Sequence, residues 1–175
     1  MSGGDLPGLK ALMARMNGAN RSVLVGVPAE SVEHKVSRGK KRTFVAKASG
    51  ETSIQTDKSV SMATIAAVHE FGSPEQGIPE RSFLRGGIRR AAPKLNAVNI
   101  DSLRKVLLGK MTIEQAIEKL GVVAAGEVKR EFVVGTFAPN KPATIARKGS
   151  SRPLIDTGNL RQAVTYIVEG ASNAH

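Results

Sequence analysis

The 175-residue chain has no cysteine and no tryptophan, and Tyr166 is its single tyrosine. The missing thiols exclude disulfides, thiolate metal sites, iron–sulfur clusters and cysteine nucleophiles together. Aromatic residues make up 3% of the chain, with five phenylalanines. The core must therefore be built from Val, Ile, Leu, Ala and Met, with those phenylalanines as its largest pieces. Surfaces that stack single-stranded bases need several aromatics on one face, which this composition hardly supplies. Long apolar runs are missing too. No window approaches the roughly 18 apolar residues of a membrane span. Met1 to Asn20 lacks the apolar centre of a signal peptide, because Lys10 and Arg15 break its periodicity. A soluble protein with no membrane partner is expected.

The common catalytic signatures are also missing. No glycine-rich loop ends in Gly-Lys-Ser/Thr, and no serine sits between glycines as in a nucleophile elbow. Acidic residues stand singly, without the clusters of a Mg²⁺-dependent nuclease. The histidines are His34, His69 and His175. His69-Glu70 begins like a zinc-protease helix, but the second histidine that must follow one turn later is Ser73. His69 reads instead as a hydrogen-bonding residue at a helix end. Asp156-Thr157-Gly158, after apolar Leu154-Ile155, resembles the tripeptide of aspartic proteases, in which two carboxylates meet across a dimer. Asn159 stands where that family has a small residue, and the 17 residues after Gly158 are too few for a flap and barrel. The bland alternative is a turn or helix cap in which Asp156 accepts local amides.

What is present is ordinary for one globular domain: 41% hydrophobic and 23% charged residues. The net charge of +11 is densest at Arg38, Lys40, Lys41 and Arg42. Such a balance suits nucleic acid, an acidic protein or an anionic surface equally. Those four residues are the candidate contacts to a partner or to DNA, and phosphate contacts there would be salt-sensitive.

The spacing of Leu6, Leu9, Leu12, Met13 and Met16 predicts a helix over Leu6 to Asn17. Ser22 to Val27 reads as a strand stopped by Pro28. From Ala29 to Ser61 the periodicity dissolves, except for a brief alternation over Thr43 to Ala48. So long a segment inside one domain is usually functional or ordered by a partner, and a projecting basic arm or hairpin is expected. Met62 to Val68 suggests a helix ending near Phe71-Gly72. A second begins at Phe83, weakened or kinked by Gly86, Gly87 and Pro93, and runs towards Gly109. Thr112 and Gln115 have capping-box spacing at the head of a helix to about Val133. Within it, Gly121 and Gly126 stand either for tolerated propensity loss or for close backbone packing. Phe137 to Pro153 reads as a loop, and Ala163 to Val168 as a final strand. The fold class is α+β: a small antiparallel sheet of Ser22–Val27 and Ala163–Val168 covered by the Thr112 helix, in a single domain with an arm at 29–61.

Three pieces in this order resemble one family. Ala66-Ala67-Val68-His69-Glu70-Phe71-Gly72 matches its apolar helix ending in Glu-Phe-Gly. Ile78-Pro79-Glu80-Arg81-Ser82-Phe83-Leu84-Arg85 is similar to its Ile-Pro-x-Arg-x-Phe-Leu element. Pro153-Leu154-Ile155-Asp156-Thr157-Gly158-Asn159-Leu160 is similar to its Pro-Leu-x-x-Thr-Gly-x-Leu element. The family is that of the tail-completion and virion-morphogenesis proteins of tailed phages, including the Mu-like type. The resemblance spans Met62 to Val168 and leaves 29–61 unexplained.

The resemblance implies a virion subunit, made in the host cytoplasm, that forms a ring, commonly a hexamer, at the head-proximal end of the tail. It implies neighbouring tail-tube, neck or connector proteins as partners, DNA in the lumen, no cofactor and no catalysis. Read as architecture, Gly72 should end a helix in a left-handed conformation, and Pro79 should fix the approach to the next helix. Phe83 and Leu84 should anchor that helix. Arg81 should pair with Glu70, the alternative being a carboxylate across an interface. A DNA-binding packaging protein and an aspartic protease are the rival readings.

Overall fold

The computed structural model describes residues 7–17, 20–29, 34–35, 59–148, 151–155 and 158–170. The elements are α1 (Pro7–Met16), β1 (Ser22–Gly26), β2 (His34–Lys35), β3 (Ser59–Val60), α2 (Met62–Phe71), α3 (Phe83–Leu107), α4 (Ile113–Val134), α5 (Pro142–Lys148), α6 (Asn159–Ala163) and β4 (Thr165–Glu169). The fold is α+β. β1 and β4 pair antiparallel, Ser22 opposite Glu169 and Gly26 opposite Thr165, and both lie on α4 as the sequence predicts.

The α3–α4 hairpin is the frame. Thr112 closes a reciprocal capping box: Gln115 N donates to Thr112 Oγ1 at 3.2 Å and Thr112 N donates to Gln115 Oε1 at 3.0 Å. At the end of α3, Gly109 takes φ 70°, and Lys110 N and Gly109 N donate to Lys105 O and Val106 O. That is the two-bond closure a left-handed residue permits. The helices are tied along their length by Arg90–Glu131, Lys94–Glu127 and Lys119–Asp101 ion pairs.

α3 is one 25-residue helix through the positions expected to interrupt it. Gly87 is buried at the crossing, where an added Cβ would lie 3.0 Å from Val128 Cα. Its lost propensity is exchanged for close approach of the two helices. Pro93 is exposed, as is Arg89, the residue whose carbonyl it leaves without an amide partner. Gly121 admits the Tyr166 ring, which a Cβ would strike, whereas Gly126 has open space. Close packing explains the first, within the chain, and propensity loss is what remains at the second. A further departure is α5, inside the expected Phe137–Pro153 loop. Pro142 opens it, where its missing N–H and fixed φ suit a first turn.

Two cores sit along the hairpin. Met62, Ala66, Phe83, Val128, Phe132, Leu154, Leu160 and Val164 fill one. Val106, Ile113, Ala116 and Ile117 fill the other, nearer the Gly109 turn, with Val23 and Val168 of the sheet. β2 and β3 pair antiparallel, His34 opposite Val60, and join the two ends of the 36–58 segment. The arm expected over 29–61 lies mostly outside the described residues, as do the basic residues Arg38, Lys40, Lys41 and Arg42.

Candidate assembly site

The first two sequence pieces fold into one knot. α2 ends at Phe71, and Gly72 takes φ 76° and ψ 175°. This corrects the expected left-handed helical turn: φ is positive, but ψ places the residue in the extended region open essentially to glycine. Space forbids a side chain as well, since a Cβ would fall 2.8 Å from Glu80 N. The chain loops through a short 3₁₀ turn and returns on a Ser73–Ile78 bridge. Pro79 then brings Arg81 beside the end of α2, where Arg81 N donates to His69 O at 2.7 Å. His69 thus stands at a helix end and contributes its carbonyl there.

Glu70 is the centre of the knot, 2% exposed. Its carboxylate accepts from Ser82 Oγ (2.9 Å), Leu84 N (2.8 Å), Arg85 N (3.1 Å) and Arg85 Nε (2.9 Å). Ser82 is the N-cap of α3 but makes no side-chain cap bond. Glu70 performs that function from the preceding helix, placing negative charge at the positive end of α3. Burial alone would raise the Glu70 pKa; the bonds from Arg85, the two amides and Ser82 outweigh it and hold the carboxyl below its ordinary value. Arg85 also donates to Glu80 (2.8 Å) and covers the Phe71 ring at 4.9 Å. Phe71 itself is 65% exposed.

Arg81 does not pair with Glu70. The expected ion pair is made by Arg85 instead, because position 85 is on the first turn of α3 and position 81 precedes it. Arg81 is buried and points the other way. Its Nε donates to Ala138 O (2.8 Å), and Nη2 donates to Pro139 O (3.1 Å) and Asn140 Oδ1 (3.2 Å). These partners are neutral oxygens, and burial lowers the Arg81 pKa, although a guanidinium stays charged at neutral pH. Asn140, also buried, passes the connection on: its Nδ2 donates to Arg152 O at 3.2 Å.

That bond delivers the third piece. Leu154, two residues beyond Arg152, is buried with φ 62°, the one positive-φ residue among the described non-glycines. Such a conformation costs a leucine roughly 1–2 kcal/mol, which burial of its side chain offsets at about 1.5–3 kcal/mol. Gly158 (φ 81°) stands at the N-cap of α6, and Leu160 is buried. Leu154 and Leu160 meet Phe83 in one core, with Leu84 packed against it as predicted. Asp156 and Thr157 lie outside the described residues. All three pieces, the first and third with 80 residues of chain between them, therefore converge at one end of the hairpin.

Sequence reasoning passed over Arg85, Glu131 and Asn140. Glu131 is buried and held by both Arg90 nitrogens at 2.7 and 3.1 Å. No spacing rule links residues 41 or 59 positions apart, so only the fold discloses these pairs. Among the described residues, no group of three or more His, Asp or Glu could hold a metal ion. No helix there is long and apolar enough to cross a membrane. No family model, curated protein or solved structure matches the chain.

Proposed function

We propose that this chain is a non-enzymatic structural subunit of a tailed-phage virion. It forms a homo-oligomeric ring, of six copies on the family's pattern, that completes the tail or joins it to the head. One observation carries the reading. The three pieces that carry the resemblance are not scattered likenesses: Glu70, Gly72, Arg81, Phe83, Leu154 and Leu160 serve one construction, by capping, hydrogen bonding or core packing. Residues that depend on each other across so much chain are those a shared fold would retain together. In the ring, neighbouring copies, tail-tube, neck or connector proteins and lumenal DNA are the partners, and the subunit acts through its shape.

The test is removal of the gene product from the phage that encodes it. Separate tails and filled heads, rejoined when the purified protein is added, are expected. Normal joined particles without it would reject the reading. A DNA-binding packaging protein is the rival: duplex binding that survives physiological salt and depends on Arg38 to Arg42 would replace the ring reading.

A further inference from the structure

We infer that the Phe71 side chain of one copy seats in a groove on the next copy, a contact that deepens the ring reading above and rests on it. Phe71 is the one exposed aromatic among the described residues of a chain that has few. It is also held in place. The Arg85 guanidinium covers its phenyl group at 4.9 Å and is itself fixed. Nε donates to Glu70 Oε1, and Nη2 donates to Glu70 O and Glu80 Oε1. An aromatic fixed before contact loses little conformational freedom on binding. Aromatic and Arg side chains are also the commonest anchors of protein interfaces. Nη1 bonds to none of the described residues, which leaves two of the five guanidinium N–H donors unused.

The complementary surface lies between β1, α3 and α4. There Val23, Val25, Ile88, Leu95, Leu120 and Ala124 line a groove of about 190 Å³, together with Asn96 and Asn99. An apolar cavity of about 150 Å³ takes up a benzene molecule, so the groove admits one phenyl group and little more. Neither Phe71 nor Arg85 lines it, so a copy does not fill its own groove with that side chain. No charged residue is in the wall. Asn96 and Asn99 are exposed, and neither amide has a hydrogen-bond partner among the described residues. Because the guanidinium lies 4.9 Å from the phenyl centre, seating the phenyl group carries Nη1 to the groove. The two amide oxygens can then accept its unused N–H groups. Apolar surface meets apolar surface at the centre and donors meet acceptors at the margin, the division between core and rim that stable interfaces show. Knob and groove are different residues, so the contact is head-to-tail and repeats around a closed ring.

The absence of native cysteine allows the groove to be closed after the chain has folded. Asn96→Cys is purified and a bulky maleimide is attached to it; the unlabelled variant should still form rings, and the labelled one should not. Phe71→Ala, a change at an exposed position, should keep the wild-type circular dichroism. It should need at least about 30-fold more protein to form rings in sedimentation, the effect of losing an interface anchor. Where the wild type forms rings, neither altered chain should assemble alone. Mixed, they should give one-to-one dimers and nothing larger, because only the knob of the labelled chain and the groove of the Phe71→Ala chain remain. The introduced thiol should also react at least about tenfold more slowly in rings than in dilute monomer. Rings that tolerate both changes, or a mixture that gives no dimer, would overturn the contact and leave the ring reading standing. A thiol that reacts slowly even in dilute monomer would show that another part of the same chain fills the groove, and would overturn the contact as well. Wild-type monomers at every concentration would reject the ring reading and the contact together.

Discussion

At the Phe83 end of the α3–α4 hairpin, Glu70, Arg81, Asn140 and Leu154 reach in from segments far apart in the chain. The Gly109 end is closed by neighbours in sequence: a capping box, a left-handed glycine and the Lys105–Asp101 pair one turn apart. The first end buries Glu70, Arg81 and Asn140 and gives each of them hydrogen-bond partners. The second keeps its ion pairs in solvent, where each contributes about 0–1 kcal/mol. One hairpin thus has a long-range clasp at one end and local punctuation at the other, and the residues that carry the family resemblance lie in the clasp.

The most damaging way to break this comparison is Glu70→Ala. It leaves the Leu84 and Arg85 amides without their acceptor and Arg85 without its buried partner. A loss of about 3–5 kcal/mol in urea unfolding is expected. A loss below about 1 kcal/mol would put the two ends on the same footing. Acid provides a second reading. The folded-state Glu70 pKa lies below the ordinary 4.5, so folding favours the charged form. That stability is present above about pH 4.5 and is lost as pH falls through the lower folded value. Glu70→Gln should flatten this acid limb. Asp101 is shifted in the same direction, first by its bond from Lys105, but its side chain is half exposed. About 1 M salt should blunt its share and leave that of Glu70.

Arg81→Lys comes next. A lysine offers a point charge where Ala138 O, Pro139 O and Asn140 Oδ1 are held by a planar fork. A loss of about 2 kcal/mol is expected, with faster amide exchange over residues 138–154. Unchanged exchange there would mean that the Arg81–Asn140–Arg152 connection does not hold the third piece.

These two residues also mark where sequence reading stopped. The helix from Thr112 to about Val133, the β1–β4 pairing and the helix stops near Gly72 and Gly109 were legible because each signal acts within a few residues or through simple alternation. The Glu70 partner was not. Arg81 and Arg85 are equally plausible on charge, and what decides between them is the direction in which the chain enters α3, a consequence of the Ser73–Ile78 bridge. α5 was missed because Pro, Lys and Arg suggested a loop, although a proline at the first helical position is a start signal.

On α4 itself, two glycines five residues apart should respond with opposite signs. Gly121→Ala gains about 1 kcal/mol of helix propensity. It must also move the Tyr166 ring, which donates to Glu118, at about 1–3 kcal/mol. A net loss of about 1 kcal/mol is expected. Gly126→Ala meets open space and should gain up to about 1 kcal/mol. Equal effects in thermal unfolding would remove the distinction between packed and exposed glycine on this helix.

Ser102→Ala probes whether burial alone is enough to define a clasp. Ser102 is buried on α3, and its Oγ has no hydrogen-bond partner in the structure. It therefore resembles Glu70 in burial and differs from it in satisfaction. A buried hydroxyl without a partner costs about 1–3 kcal/mol of desolvation, and alanine is the better helix former. Removing it should raise stability by about 1 kcal/mol, the reverse of the Glu70 change, with the fold intact by circular dichroism. A loss of stability would show that the hydroxyl is bonded in solution. The second end of the hairpin would then hold a buried polar anchor of its own, and the contrast between clasp and punctuation would narrow to the number of bonds each anchor makes.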